Sequence, residues 1–197
     1  MITLCMDTCQ KYLVLVLIKD NEVIGKYSEV CLRKQSEFIF LRLIELCDSV
    51  NITAEDIDEI VITDGPGSYT GVRIAMTIAK VFCTQKSAKL YTLSSLLLYI
   101  GKNDGYSILD ARADRAYIAK YIKGTIDGEI NILKLSDIKN IVNKSEVYGD
   151  GSLIGLNDKY CDFAESFLSL KEKWNLVKDI HSLTPKYLKE QDSYLVK

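Results

Sequence analysis

Apolar positions at the start of the chain recur with the period of β-structure. Residues 2–6 form a short apolar run that stops at Asp7 and Thr8, and residues 12–18 are apolar at nearly every position, as a strand buried on both faces requires. Asn21 and Glu22 turn the chain, and residues 23–30 alternate, so the opening predicts an antiparallel meander of three strands. The period then lengthens. From 36 to 50, Ile39, Phe40, Leu43, Leu46, Cys47 and Val50 recur at helical spacing against polar Glu37, Arg42, Glu45 and Asp48. Phe38 and Leu41 fall outside that stripe and give the helix a second apolar face, which calls for a second packing partner.

Thr53 with Asp56 reads as a capping box before a strand over 57–63. Gly65-Pro66-Gly67 ends that strand, Ser68 and Thr70 are placed to cap orphan amides, and a helix is expected over 71–84. Gly71, Ala75 and Ala79 lie one turn apart on it, a row of small residues that admits a close neighbour, either the sheet or another helix. The glycines serve either chain geometry alone or an anion held at the helix start. The loop has neither the Gly-Lys-Ser/Thr ending of a P-loop nor dinucleotide spacing, and an unpaired Asp64 would repel phosphate.

A strand near 90–92 and a helix opened by Ser94 and Ser95 complete the order β-β-β-α-β-α-β-α, an α/β sheet that is antiparallel first and parallel afterwards. The second half is patterned less strongly. Strands are expected over 106–110 and 116–123, a hairpin at Asp127-Gly128, a helix over 138–142, a strand into a glycine turn over 147–151 and an amphipathic helix over 163–174. Two lobes are expected, 1–103 and a smaller one over 104–197.

A hydrophobic content of 48% in 197 residues supports a sizeable core without staples. With 25 Lys+Arg against 27 Asp+Glu and no long basic run, one chain carries no electrostatic footprint for nucleic acid. Cys5, Cys9, Cys31, Cys47, Cys83 and Cys161 are scattered without a C-x-x-C pair and read as reduced core thiols of a soluble, cytoplasmic protein with no membrane span. His181 is the only histidine, too few ligands for a metallopeptidase or metallotransferase and a poor base for a Ser-His-Asp site. Asp7, Asp110 and Asp150 sit at strand ends and either serve turns or hold magnesium near a phosphate.

The run Gly65-Pro-Gly-Ser-Tyr-Thr-Gly-Val-Arg-Ile74 resembles the most distinctive stretch of the TsaB family of bacterial tRNA threonylcarbamoyladenosine biosynthesis proteins. Asp7-Thr8, Asp110-Ala111-Arg112 before Tyr117, Gly149-Asp150-Gly151 and Pro185-Lys-Tyr-Leu188 agree in order. The chain departs from the pattern at Asp64, where a basic residue is usual, at Gln35, where His commonly precedes Ser36, and at Lys189, where Arg usually follows Tyr-Leu. The resemblance implies the actin-like/sugar-kinase ATPase, ribonuclease H-like fold with a reduced second lobe. It also implies a non-catalytic subunit that activates a TsaD-like paralogue, alongside a TsaE-like ATPase, with tRNA met only through the complex. A homodimer is expected when the chain is alone. No cofactor is intrinsic, and ATP or ADP with magnesium belongs at the complex interface. Asp7, Thr8, Gly67, Ser68, Tyr69 and Thr70 are the expected nucleotide-binding positions. Phe38, Leu41 and Glu45 on one helix with Gly71, Val72, Ala75, Met76 and Ala79 on the next are the expected interface. The rival reading is a small ATPase or sugar-kinase-like phosphotransferase that uses Asp7, Thr8 and the glycine loop.

Overall fold

A computed structural model describes residues 1–143 and 145–188; Lys189 lies outside them. The first half runs β1 (Ile2–Asp7), β2 (Tyr12–Lys19), β3 (Glu22–Val30), α1 (Gln35–Ser49), β4 (Glu59–Thr63), α2 (Tyr69–Lys86), β5 (Lys89–Leu93) and α3 (Ser95–Ile100). The second runs β6 (Gly105–Asp110), β7 (Arg115–Ile122), β8 (Thr125–Ile126), β9 (Asn131–Lys134), α4 (Leu135–Val142), β10 (Val147–Gly149), α5 (Phe163–Ser169) and β11 (Asn175–Leu176).

The first sheet is ordered β11-β5-β4-β1-β2-β3. Its β1–β2–β3 meander is antiparallel and β4 and β5 are parallel, as expected from the patterning, and β4 joins the sheet beside β1. The unbroken apolar run of β2 has a direct cause. Leu13, Leu15 and Leu17 face the core under α1 and α2, while Val14, Val16 and Ile18 face a second core under α3 and α5. Both faces of the strand are therefore dry, and every position must be apolar.

The second sheet is ordered β10-β6-β7, with β8 and β9 both paired to the free flank of β7. The tight hairpin turn lies at Lys123-Gly124, between the paired Ile122 and Thr125, and not at Asp127-Gly128. Lys123 and Gly124 have φ of 49° and 75°, the left-handed pair of a type I′ turn. The helix expected over 163–174 ends at Ser169 and gives way to a short 3₁₀ turn, Lys171–Lys173. Strand β11 then returns to the edge of the first sheet beside β5. Among the described residues no helix is long and apolar enough to cross a membrane.

Candidate functional site

Asp7 ends β1, and its carboxylate is fully buried. Oδ1 accepts from the Cys9 amide at 3.1 Å and from the Thr63 hydroxyl, and Oδ2 accepts from the Tyr99 hydroxyl at 3.1 Å. Burial raises the Asp7 pKa, and the bonds from Thr63, Cys9 and Tyr99 pull it partly back. Thr8 is buried as well: its hydroxyl donates to Gly71 O at 2.7 Å and accepts from Ala75 N at 3.2 Å. The glycine loop explains this closure. A Cβ on Gly67 would lie 2.5 Å from Cys9 O, and one on Gly71 would lie 2.2 Å from Thr8 O, so only glycine lets the β1–β2 turn rest on the loop. Asp7, Thr8 and Gly67 therefore do not face open space, because the chain's own loop covers them. Ser68, Tyr69 and Thr70 remain exposed at the start of α2, where Ser68 Oγ accepts from Gly71 N at 3.3 Å.

Beside this sealed corner a cleft of about 680 Å³ opens, lined from the first half by Lys11, Arg33, Ser68 and Thr70 and from the second by Asp110, Arg112 and Asp150. Lys11, Arg112, Asp110 and Asp150 are paired in place. Lys11 Nζ lies 3.2 Å from Asp150 and 2.8 Å from Asp158, and Arg112 Nη1 lies 3.0 Å from Asp110 Oδ2. Asp150 further accepts from the Asp110 amide at 3.0 Å and from the Tyr160 hydroxyl at 2.6 Å. Although burial opposes ionisation, bonds from Lys11 and the Ser152 amide hold the Asp158 carboxyl down at about 2. Asp110 and Asp150 are thus brought together, but Asp7 is held apart in its own hydroxyl and amide cage. Among the described residues no group of three His, Cys, Asp or Glu is placed to hold a metal ion. A phosphate-bearing ligand in the cleft would meet the Ser68 and Thr70 hydroxyls and the start of α2. Sequence reasoning missed Lys11, Tyr99, Asp158 and Tyr160. The signal for Lys11 was a cation in the turn between two buried strands.

Asp64 points away from the cleft. Its Oδ2 pairs with Lys186 Nζ at 2.9 Å, so the carboxylate beside the glycine loop is neutralised from the C-terminal segment. Gln35 also has a local purpose: it donates to Gln10 O at 2.7 Å and fastens the start of α1 to the β1–β2 turn.

The helix faces differ from expectation in two respects. Gly71, Val72, Ala75, Met76 and Ala79 are buried in the core shared with the sheet, so the small row packs on this chain's own strands. On α1, Phe38 lies half-buried against that core while Phe40 is 58% exposed, the reverse of the expected stripe. Leu41 and Glu45 are exposed as an outward face requires, and Ile44 joins them at 58% exposure. Val81 on α2 is 53% exposed, on the same side of the sheet.

The family model described as TsaD, tRNA N6-adenosine threonylcarbamoyltransferase, matches residues 22–139. The chain is 32% identical over 126 residues to the tRNA threonylcarbamoyladenosine biosynthesis protein TsaB of Bacillus subtilis, covering 61% of this chain and 55% of that protein. It is 28% identical over 193 residues to an uncharacterized protein of Mycoplasma pneumoniae, covering 95% and 94%. The structure of YeaZ from Pseudomonas aeruginosa superposes with a TM-score of 0.74 at 19% identity, covering 95% of this chain and 99% of that one. The mixed α/β fold of two sheets is the actin-like/sugar-kinase ATPase, ribonuclease H-like fold expected from the sequence. The chain belongs to the TsaB/YeaZ family, within the wider group that the transferase model covers.

Proposed function

We propose that the chain is the non-catalytic subunit that binds and activates a TsaD-like threonylcarbamoyl transferase. Family membership supports a role in tRNA threonylcarbamoyladenosine biosynthesis. The observation that carries the finer reading is the sealing of Asp7 and Thr8. A phosphotransferase of this class would need the carboxylate at the end of β1 to reach a metal-bound phosphate, and here it is spent on Cys9, Thr63 and Tyr99 with no exposed atom. The rival reading as a small ATPase or sugar-kinase-like enzyme loses its first ligand.

The working surface in this reading is the outer side of α1 and α2. Phe40, Leu41 and Ile44 stand one helical turn apart or adjacent on α1 at 49–58% exposure, an apolar patch that a lone helix would not keep in water. The partner of fitting chemistry is a TsaD-like paralogue, because the transferase model itself matches the stretch that contains α1 and α2. A second copy of this chain would use the same face and compete. ATP or ADP with magnesium, a TsaE-like ATPase and tRNA then enter through the assembled complex, not through this chain alone.

Titration of the purified chain with a TsaD-like paralogue, read by calorimetry and light scattering, tests the proposal. Leu41→Glu with Ile44→Glu should abolish association by more than 100-fold and leave the unfolding midpoint within a few degrees, since both side chains are exposed in the isolated chain. A doubly substituted chain that still bound the paralogue at undiminished affinity would sink the proposed face.

A further inference from the structure

The C-terminal segment crosses the molecule in two differently held parts. Its root, residues 177–183, is fixed by apolar packing: Val177, Ile180 and Leu183 lie against the core under α2, and Val177 N donates to Leu90 O at 2.8 Å. Its tip, residues 184–188, lies against the glycine loop and the first turn of α2. Lys186 Nζ pairs with Asp64 Oδ2 at 2.9 Å and Lys186 N donates to Asp64 O at 2.8 Å. A Cβ on Gly65 would lie 3.0 Å from Lys186 O, so the tip rests directly on the loop backbone. Tyr187 stacks on Tyr69 with ring centroids 5.4 Å apart, and its hydroxyl accepts from Arg73 Nε at 2.7 Å. The Arg73 guanidinium in turn lies 4.2 Å from the Tyr69 ring centre.

We propose that residues 184–188 are a latch that holds the glycine loop and the first turn of α2 in place, and that opens without unfolding the sheet. Two observations set the latch apart from ordinary tail packing. Its contacts are polar and aromatic and fall on partly exposed groups, with Tyr69 42% exposed and Lys186 57%, so opening uncovers little apolar surface. The ionisable group buried beneath it is Asp64, 3% exposed, whose Oδ1 has no hydrogen-bond partner among the described residues, so Lys186 is the counter-charge to that carboxylate. Closing pairs Asp64 Oδ2 with Lys186 and stacks Tyr187 on Tyr69; opening releases Tyr69 and Arg73 together at the lip that carries Ser68 and Thr70. Because those two hydroxyls line the cleft, any ligand there and any partner that grips the tip are linked, each shifting the affinity of the other.

Hydrogen–deuterium exchange on the full chain tests the latch. The probes are the amides of the loop and first turn, among them Ser68 N, bonded to Cys9 O at 2.7 Å, and Val72 N, bonded to Ser68 O at 3.0 Å. Tyr187→Ala should raise exchange across residues 63–74 at least ten-fold while β1 and β4 keep their protection. Lys186→Met, which keeps most of the side chain's bulk, should give the same pattern at smaller amplitude. Exchange across 63–74 that stayed at the parent rate in both variants would overturn the proposal. So would a uniform rise through β1 and β4, which would make the tip part of the global fold.

Discussion

Replacing Asp7 by alanine separates a structural carboxylate from a metal-binding one. The side chain is the shared acceptor of the Cys9 amide, the Thr63 hydroxyl and the Tyr99 hydroxyl, all in the dry interior. A buried donor left without an acceptor costs about 1–3 kcal/mol. Thr63 Oγ1 keeps Cys9 Sγ at 2.9 Å and falls at the low end, whereas Cys9 N and the Tyr99 hydroxyl have no second acceptor within these bonds. Removing a carboxylate whose ionised form burial disfavours gives part of that back. The net loss is about 2–5 kcal/mol, a large share of the 5–15 kcal/mol typical of a domain. Asp7→Asn keeps one acceptor oxygen and should lose only about 1 kcal/mol. The sign of the pH dependence follows from the raised pKa. The contribution of Asp7 is fully present below its unfolded value of 3.8 and is lost as pH rises through the folded value. The parent should therefore gain stability relative to Asp7→Asn as pH falls from 7 towards 4. Urea unfolding of parent, Asn and Ala chains at several pH values measures all three quantities. An alanine variant within 0.5 kcal/mol of the parent, or a parent that gains on the asparagine variant with rising pH, would refute the cage.

Gly71→Ala should lower the melting temperature sharply, since its Cβ would lie 2.2 Å from Thr8 O and must displace the start of α2 or the β1–β2 turn. Ala79→Arg should abolish the cooperative transition seen by circular dichroism, because Ala79 is fully buried and the new charge would have no partner; a folded variant would place the small row on the surface after all. Asp158, held at about 2, contributes stability that is present above its unfolded value of 3.8 and lost as pH falls towards 2. Asp158→Asn should accordingly flatten the acid limb of a stability–pH profile, and an unchanged limb would show that the Lys11 link between the two halves is not formed.

The succession of elements in the first half, and its change from antiparallel to parallel strands, could be read from sequence because each element imposed one clear period. The all-apolar β2 could only be a strand with two dry faces, and the spacing of Ile39, Leu46 and Cys47 could only be one side of a helix. What failed were readings that depend on a neighbour's position. Phe38 and Phe40 are two residues apart on a helix with apolar residues on several sides, and only the actual seat of α1 on the sheet decides which is covered. The small row of α2 was compatible with both sheet and partner, and the burial of Ala75 and Ala79 in the core with the strands decides it. Asp7 reads in sequence like any strand-end carboxylate, and nothing local announces that Tyr99, ninety-two residues on, will close over it. Strands β9 and β11 were missed because edge pairings of four and two residues leave no period to detect.

The central claim is tested most directly by reconstituting tRNA modification from purified parts: a TsaD-like transferase, a TsaE-like ATPase, a threonylcarbamoyl donor, ATP with magnesium and substrate tRNA, with this chain present or omitted. The account predicts modified adenosine only when the chain accompanies the transferase, none from the chain without it, and loss of product when Leu41→Glu with Ile44→Glu replaces the parent. Modified tRNA formed by this chain in the absence of the transferase, or an undiminished rate when the chain is left out, would contradict it.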